Sequence, residues 1–208
     1  MVSAVHTSAH PLVRHNLTRL RAATTSPWEF RTLVRDLTQL LFYEAIADVA
    51  VAAHTVQTPL AAHEGCAVAE RVGLVPILRA GLGMVDPILD LFPSATVWHL
   101  GLYRDHDTLL PVTYYNKLPA TLPLDLAIVL DPMLATGGSA VSVLDCLKTR
   151  GIRRLKFLGV IAAPEGVAAL LRAHPDVPIH VAAVDSHLNE KGYMVPGLGD
   201  AGDRQFGT

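Results

Sequence analysis

Five short apolar runs punctuate this 208-residue chain from residue 74 onward. Leu74 to Leu78 ends at Arg79-Ala80-Gly81, Thr96 to Tyr103 at Arg104-Asp105, and Leu126 to Leu130 at Asp131-Pro132. Phe157 to Ala162 and Ile179 to Val184 follow. Runs with so little polar alternation are strands buried on both faces. Helical patterns lie between the later ones. Ala140, Val141, Leu144 and Leu147 share one helical face, closed by Gly151. Pro164 opens another helix, which carries Val167, Leu170 and Leu171 and stops before Pro175. Strands and helices in alternation predict an α/β fold: a mainly parallel sheet flanked by helices. Ligands of such sheets bind beyond the carboxyl ends of the strands. Arg79, Arg104 and Asp131 stand at three such ends, so one crevice should gather them.

Residues 1–55 read as a helical N-terminal segment. Pro11 to Ala23 carries Leu12, Leu17 and Leu20 among basic residues. A second helix opens with Ser26 as N-cap, Pro27 at the first helical position and Glu29 as the third element of a capping box. It continues through Phe30, Leu33, Val34, Leu37, Leu40, Leu41, Tyr43 and Ile46. So wide an apolar face suits either the chain's own core or a partner subunit. Residues 104–123 are polar, aromatic and punctuated by proline, with Tyr114, Tyr115, Asn116 and Lys117 together. They read as a flap over the crevice or as an ordinary surface hairpin.

Composition narrows the function. Hydrophobic residues make up 50% and charged residues 17%, the reverse of a disordered chain. A formal net charge of −2 disfavours duplex nucleic acid as a main partner. Cys66 and Cys146 are too few and too far apart for a disulfide framework or a zinc site. No apolar run approaches the roughly 20 residues of a membrane span. Met1 to His10 has neither Lys nor Arg nor an apolar export core. The expectation is a single domain over 1–208, cytoplasmic, with no membrane and no nucleic-acid partner.

The densest chemistry lies in Asp131-Pro132-Met133-Leu134-Ala135-Thr136-Gly137-Gly138-Ser139, between a buried strand and an amphipathic helix. Its glycines let successive N–H groups face one concavity. The helix start adds positive dipole, and Thr136 and Ser139 add hydroxyls. No Lys follows the glycines, so this is not a Walker A loop. A neutral donor cradle suits a phosphate monoester that is held rather than cleaved. The Asp131 carboxylate, upstream, can accept from hydroxyls beside that phosphate. Phosphate and hydroxyls together describe a ribose 5-phosphate.

This stretch resembles the phosphoribosyl pyrophosphate (PRPP) loop of type I phosphoribosyltransferases, in the form of the uracil branch. Pro76-Ile77-Leu78-Arg79-Ala80-Gly81-Leu82-Gly83-Met84 and Gly101-Leu102-Tyr103-Arg104 look like that family's other two PRPP segments. Tyr193-Met194-Val195-Pro196-Gly197-Leu198-Gly199-Asp200-Ala201-Gly202-Asp203 looks like its uracil-binding tail, so 193–208 is expected to bind the base. His10-Pro11-Leu12-Val13 resembles the usual start. The resemblance covers nearly the whole chain. It implies transfer of phosphoribose from PRPP to uracil, giving UMP and pyrophosphate in pyrimidine salvage. It assigns PRPP to Arg79, Arg104, the Asp131 to Ser139 loop and Asp200, and uracil to Met194, Gly199, Asp200 and Ala201. Two arginines suit a pyrophosphate leaving group, whose oxygens guanidinium binds bidentately. Asp131, Arg79, Arg104 and Asp200 are the expected catalytic set, and no general base beyond the candidate Asp200 is named.

The tail also contains Gly197-Leu198-Gly199-Asp200-Ala201-Gly202, a literal G-x-G-x-x-G. A dinucleotide reading fails, because no βαβ unit follows and the chain has only six residues left. A tight glycine loop can instead read uracil's alternating acceptor, donor, acceptor edge with main-chain groups. Cytosine would leave one buried group unpaired. The expected cofactor is Mg2+, held mainly by PRPP and water with Asp200 as the protein candidate. The family also implies a homodimer or higher homo-oligomer, and GTP as an effector in some members. Pro87 and Trp98 depart from the family pattern and bear on assembly and regulation. Rival readings are a transferase for another nucleobase and a PRPP-binding regulator of nucleic acid.

Overall fold

The computed structural model describes residues 4–104, 111–116 and 122–208. Strand β1 (Val5–Thr7) precedes helices α1 (Pro11–Arg21) and α2 (Pro27–Ala45). A hairpin of β2 (Val51–Gln57) and β3 (Ala62–Val68) follows. Then β4 (Val72–Leu78) passes through a 3-10 turn (Ala80–Met84) into α3 (Val85–Leu91), β5 (Thr96–Val97), β6 (Leu100–Arg104) and β7 (Pro111–Asn116). Strands β8 (Leu126–Leu130) and β9 (Met133–Leu134) lead into α4 (Gly138–Thr149). Strands β10 (Leu155–Leu158) and β11 (Ile161–Ala162) lead into α5 (Pro164–Ala173). The chain closes with β12 (Ile179–Val181), β13 (Ala183–Val184), β14 (His187–Leu188), β15 (Met194–Val195) and α6 (Ala201–Phe206).

The main sheet runs β1-β12-β10-β8-β4-β6-β7, with β5 beside β4. Every pairing in it is parallel except β6 with β7. Both faces are covered, as the unbroken apolar runs require. In β8, Leu126, Ile128 and Leu130 join the core under α1, α2 and α3, while Ala127 and Val129 join the core under α4 and α5. The period-two alternation of a strand divides one wholly buried run between two helical layers. Helix α2 begins where its sequence signature says. Ser26 is the N-cap, and its Oγ accepts from the Glu29 N–H at 3.4 Å. Glu29 does not reach back to close the box; its carboxylate accepts from Arg19 at 2.7 Å.

Three runs are split rather than continuous. Phe157 to Ala162 becomes β10 and β11, and Ile179 to Val184 becomes β12 and β13. The second halves leave the main sheet and pair in a small parallel sheet, β13-β11-β9. Thr96 to Tyr103 breaks at Trp98 into β5 and β6. The Trp98 indole N–H donates to Thr96 Oγ1 at 3.1 Å while its ring packs on the second core. The N-terminal segment is helical only to Ala45. It starts with a strand, and β2 begins at Val51, inside the span read as helix. The β2–β3 hairpin is exposed on both faces and pairs with no other strand among the described residues. Pro87 sits inside the first turn of α3, which opens at Val85 rather than at Asp86. In the span read as a flap, β7 pairs antiparallel with β6, as a hairpin would. Residues 105–110 and 117–121, including Lys117, lie outside the described residues.

Candidate active site

The crevice forms where β4 and β8, neighbours in the sheet, reach their carboxyl ends. Beyond β8 the chain does not turn at once into a helix. Met133 and Leu134 form β9, which pairs with Ile161 and Ala162. The Pro132 carbonyl accepts from the N–H groups of Val160 and Ile161, both at 3.0 Å. The first half of the glycine loop is therefore held as sheet. Gly137 then turns at φ 82°, in the left-handed region, and caps α4. Helix α4 starts at Gly138, so its leading N–H groups are those a helix cannot pair internally, and they open at the crevice.

Helix α5 backs the loop. A Cβ on Gly166 would lie 2.4 Å from the Ala135 carbonyl oxygen and 2.5 Å from that of Leu134. Only glycine admits so close a main-chain approach. Gly166 was invisible as a site residue in the sequence, because its partner lies one helix away. Its only signal was a glycine inside a helical pattern.

Two hollows meet in the crevice. One, of about 150 Å³, is lined by Asp131, Met133, Leu134, Ala135, Thr136, Gly137, Ser139, Ala140 and Gly192. The other, of about 230 Å³, is lined by Ile77, Leu78, Arg79, Ala80, Asp131, Ser139, Asp200 and Gly202. Asp131 and Ser139 belong to both. A larger cavity of about 560 Å³ lies elsewhere, among Arg31, Arg35, Leu82, Leu89 and Phe206. It contains neither the glycine loop nor Asp131 and is largely apolar, so volume alone does not mark the chemistry.

Asp131 is half-buried, and its Oδ1 accepts from the Met133 N–H at 3.2 Å. Burial pushes its carboxyl up to about 7, and the single N–H pulls back too weakly to cancel it. Such a group gains most from a ligand that brings hydroxyl donors or a cation. Arg79 follows β4 across a cis peptide from Leu78. Its guanidinium donates to Asp203 at 3.1 Å. Asp200 caps α6, its Oδ1 accepting from the Asp203 N–H at 2.9 Å. The C-terminal tail is thus an ordered element, a two-stranded turn and a short helix, folded back onto Arg79.

Of the three charged residues expected at strand ends around one crevice, Arg79 and Asp131 line a common hollow, together with Ser139 and Asp200. Arg104 ends β6, two strands from β8, and its side chain lies outside the described residues. Pro132, Gly138, Met194, Gly199 and Ala201 line neither hollow. Pro132 is held by its carbonyl against Val160 and Ile161, Gly138 is the first residue of α4, and Met194 and Ala201 are buried in the core under α1, α2 and α3. Gly192 lines the crevice from outside the motifs read in the sequence, and Ala80 and Gly202 line it from within them without having been assigned a contact. Among the described residues no three His, Cys, Asp or Glu side chains gather as a metal cage. The oxygen donors of Asp131, Ser139 and Asp200 fit a hard cation carried mainly by a substrate.

A sequence model of the uracil phosphoribosyltransferase family matches residues 7–208. The chain belongs to this family. The uracil phosphoribosyltransferase of Roseiflexus castenholzii is 67% identical over 204 residues, covering 98% of each chain. That of Listeria innocua is 55% identical over 205 residues, again 98% of each. Among solved structures, the AQ2163 protein of Aquifex aeolicus matches with a TM-score of 0.91 and 36% identity, over 97% of each chain. A hypoxanthine phosphoribosyltransferase of Staphylococcus aureus, at 11% identity and a TM-score of 0.54, shares the fold. The α/β architecture of type I phosphoribosyltransferases is therefore the architecture of this chain. No helix among the described residues is long and apolar enough to cross a membrane.

Proposed function

We propose that this chain transfers the phosphoribosyl group of PRPP to N1 of uracil, giving UMP and pyrophosphate, a step of pyrimidine salvage. The observation that carries the reading is the pair of hollows that share Asp131 and Ser139. One is walled by main-chain donors at a helix start and suits a 5′-phosphate. The other is walled by Arg79 and by the tail and suits the reacting end of the sugar. Asp131 stands between them, where the ribose hydroxyls fall.

In the reaction a bond forms between uracil N1 and ribosyl C1 while the bond from C1 to pyrophosphate oxygen breaks. Pyrophosphate leaves with the electron pair and N1 loses its proton. Arg79 and Arg104 stabilise the charge that develops on the departing oxygens. The Ala135 to Ser139 cradle and Asp131 fix the sugar, so that catalysis is mostly orientation and fixed charge. The tail presents uracil on the opposite face of C1, and configuration inverts. Mg2+ bound with PRPP would neutralise the pyrophosphate; Asp200 and Asp131 are the residues that would hold it. Residues 1–208 act as one catalytic unit, with 193–208 as its base-binding part.

Self-association belongs to the same proposal. The hairpin β2–β3 exposes both faces, and Trp28, Tyr43 and Leu91 are large apolar residues left exposed. GTP as an effector rests on family membership alone. A cytoplasmic setting suits cysteines that form no disulfide.

The test is a coupled assay of pyrophosphate release from Mg2+–PRPP with uracil, cytosine, hypoxanthine and orotate. Uracil alone should turn over. Faster turnover of orotate or hypoxanthine would overturn the assignment.

A further inference from the structure

We propose that Arg21 and Asp185 are positioning residues for the base-reading loop, and that their ion pair sets uracil affinity without serving PRPP. The inference rests on reading Met194 to Ala201 as the uracil site. Arg21 is the last residue of α1, and Asp185 follows β13. They are 164 positions apart, yet the Arg21 guanidinium meets the Asp185 carboxylate with both terminal nitrogens, Nη1 to Oδ2 at 3.0 Å and Nη2 to Oδ1. The same two side chains converge on one residue of the tail. Arg21 Nη1 donates to the Gly197 carbonyl at 2.6 Å, and the Gly197 N–H donates to Asp185 Oδ2 at 2.9 Å. Both main-chain polar groups of Gly197 are thereby fixed by one ion pair.

The next residue is fixed as well. Arg204 Nη1 donates to the Leu198 carbonyl at 2.8 Å and to the Leu20 carbonyl at 3.0 Å. Its Nη2 donates to the Ala22 carbonyl at 2.6 Å, and its guanidinium lies 4.6 Å from the Phe30 ring centroid. The end of α1 and the tail are thus tied at two successive residues. Both main-chain groups of Gly197 and the Leu198 carbonyl are spent on this tether. The main-chain groups left to meet a base belong to their neighbours, Met194 and Gly199 to Ala201.

Stability does not account for the pair. The Asp185 side chain is 2% exposed and that of Arg21 is 21% exposed. A pair so buried returns little net stability, because desolvation offsets the attraction. What it does supply is direction: a planar fork fixes the orientation of the peptide it grips. A base edge read by main-chain groups tolerates only small displacements, since hydrogen bonds weaken steeply off geometry. Neither Arg21 nor Asp185 lines the hollows assigned to the sugar phosphate, so displacement of the loop should reach uracil first.

The test uses the full chain carrying Arg21→Met, and the double variant Arg21→Met with Asp185→Leu, which leaves no buried charge alone. The steady-state KM for uracil, the KM for PRPP, kcat and the melting temperature are measured for each. The KM for uracil should rise about tenfold or more, equivalent to about 1.4 kcal/mol. The KM for PRPP and kcat should stay within about threefold. Methylguanidinium added to a third variant, Arg21→Ala, which leaves room for it, should lower that variant's raised uracil KM, which a general loosening of the fold would not allow. The double variant, which leaves no buried charge alone, should melt no lower than Arg21→Met while its uracil KM stays high. An unmoved uracil KM in either folded variant would overturn the clamp, and so would equal losses for uracil and PRPP. If the unaltered chain fails to turn over uracil, the functional reading falls and takes the clamp with it.

Discussion

Asp131→Asn removes a negative charge that the folded chain holds unfavourably. The carboxyl is pushed up to about 7 from an ordinary 3.8, a gap of about 3 pH units. At about 1.4 kcal/mol per pH unit, the ionised form is disfavoured in the fold by about 4 kcal/mol. That value is a ceiling, because Asp131 is half-buried and opens onto two hollows that admit water. The sign follows from proton binding. Between pH 3.8 and 7 the folded chain keeps a proton that the unfolded chain has already released. Stability attributable to this group therefore falls as pH rises through that window and is lowest above it. Asn cannot ionise, so its variant escapes the fall. Urea midpoints of both proteins at pH 5 and pH 8 measure the difference. The variant's advantage should grow by about 2 kcal/mol between the two. Uracil-dependent pyrophosphate release should meanwhile drop about 100-fold, since the charged acceptor for the ribose hydroxyls is gone. Equal pH slopes in the two proteins would refute the buried-charge account. Full activity in the variant would refute the hydroxyl-binding role.

Gly166→Ala places a methyl group 2.4 Å from the Ala135 carbonyl oxygen, so the glycine loop must shift. The KM for PRPP should rise about tenfold with the KM for uracil little changed, both read from initial rates. Arg79→Ala should lower kcat about 100-fold, the scale expected for losing one fixed donor to developing charge. Its melting temperature should hardly move, because the Arg79 and Asp203 side chains are 59% and 49% exposed and such pairs contribute little. Asp200→Ala removes the N-cap of α6 and should cost about 1 kcal/mol in urea unfolding, besides its loss of activity.

The parts of the fold that the sequence makes readable are those where local chemistry and burial agree. The five apolar runs mark the central strands, because a strand buried on both faces has no polar side to dilute it. Ser26 and Pro27 mark the start of α2 because capping is a local event. The hairpin β2–β3 escaped notice for the opposite reason. Exposed on both faces, it carries no apolar alternation, and Val51 to Thr55 reads as a continuation of the helix before it. The split of Phe157 to Ala162 was equally hidden. Both halves are fully buried, and nothing local says that Ile161 pairs with Met133 while Phe157 pairs with Val129.

The site shows the same division. Asp131 to Ser139 stands out because a phosphate cradle needs consecutive residues. The support around it is spread across the chain and leaves no consecutive trace. Gly166 holds the loop from α5, and Arg21 reaches the tail from α1. Helix α6 was legible in principle, with Asp200 as its cap and Gly207 at φ 74° past its end, but the glycines inside the tail pointed to a loop.

Titration of the 15N-labelled chain with UMP tests the central claim most directly. The largest amide shifts should fall on Thr136 to Ala140 and on Gly199 to Gly202, saturating together. Shifts confined to the cavity near Arg31 and Phe206, with the glycine loop unmoved, would contradict the account.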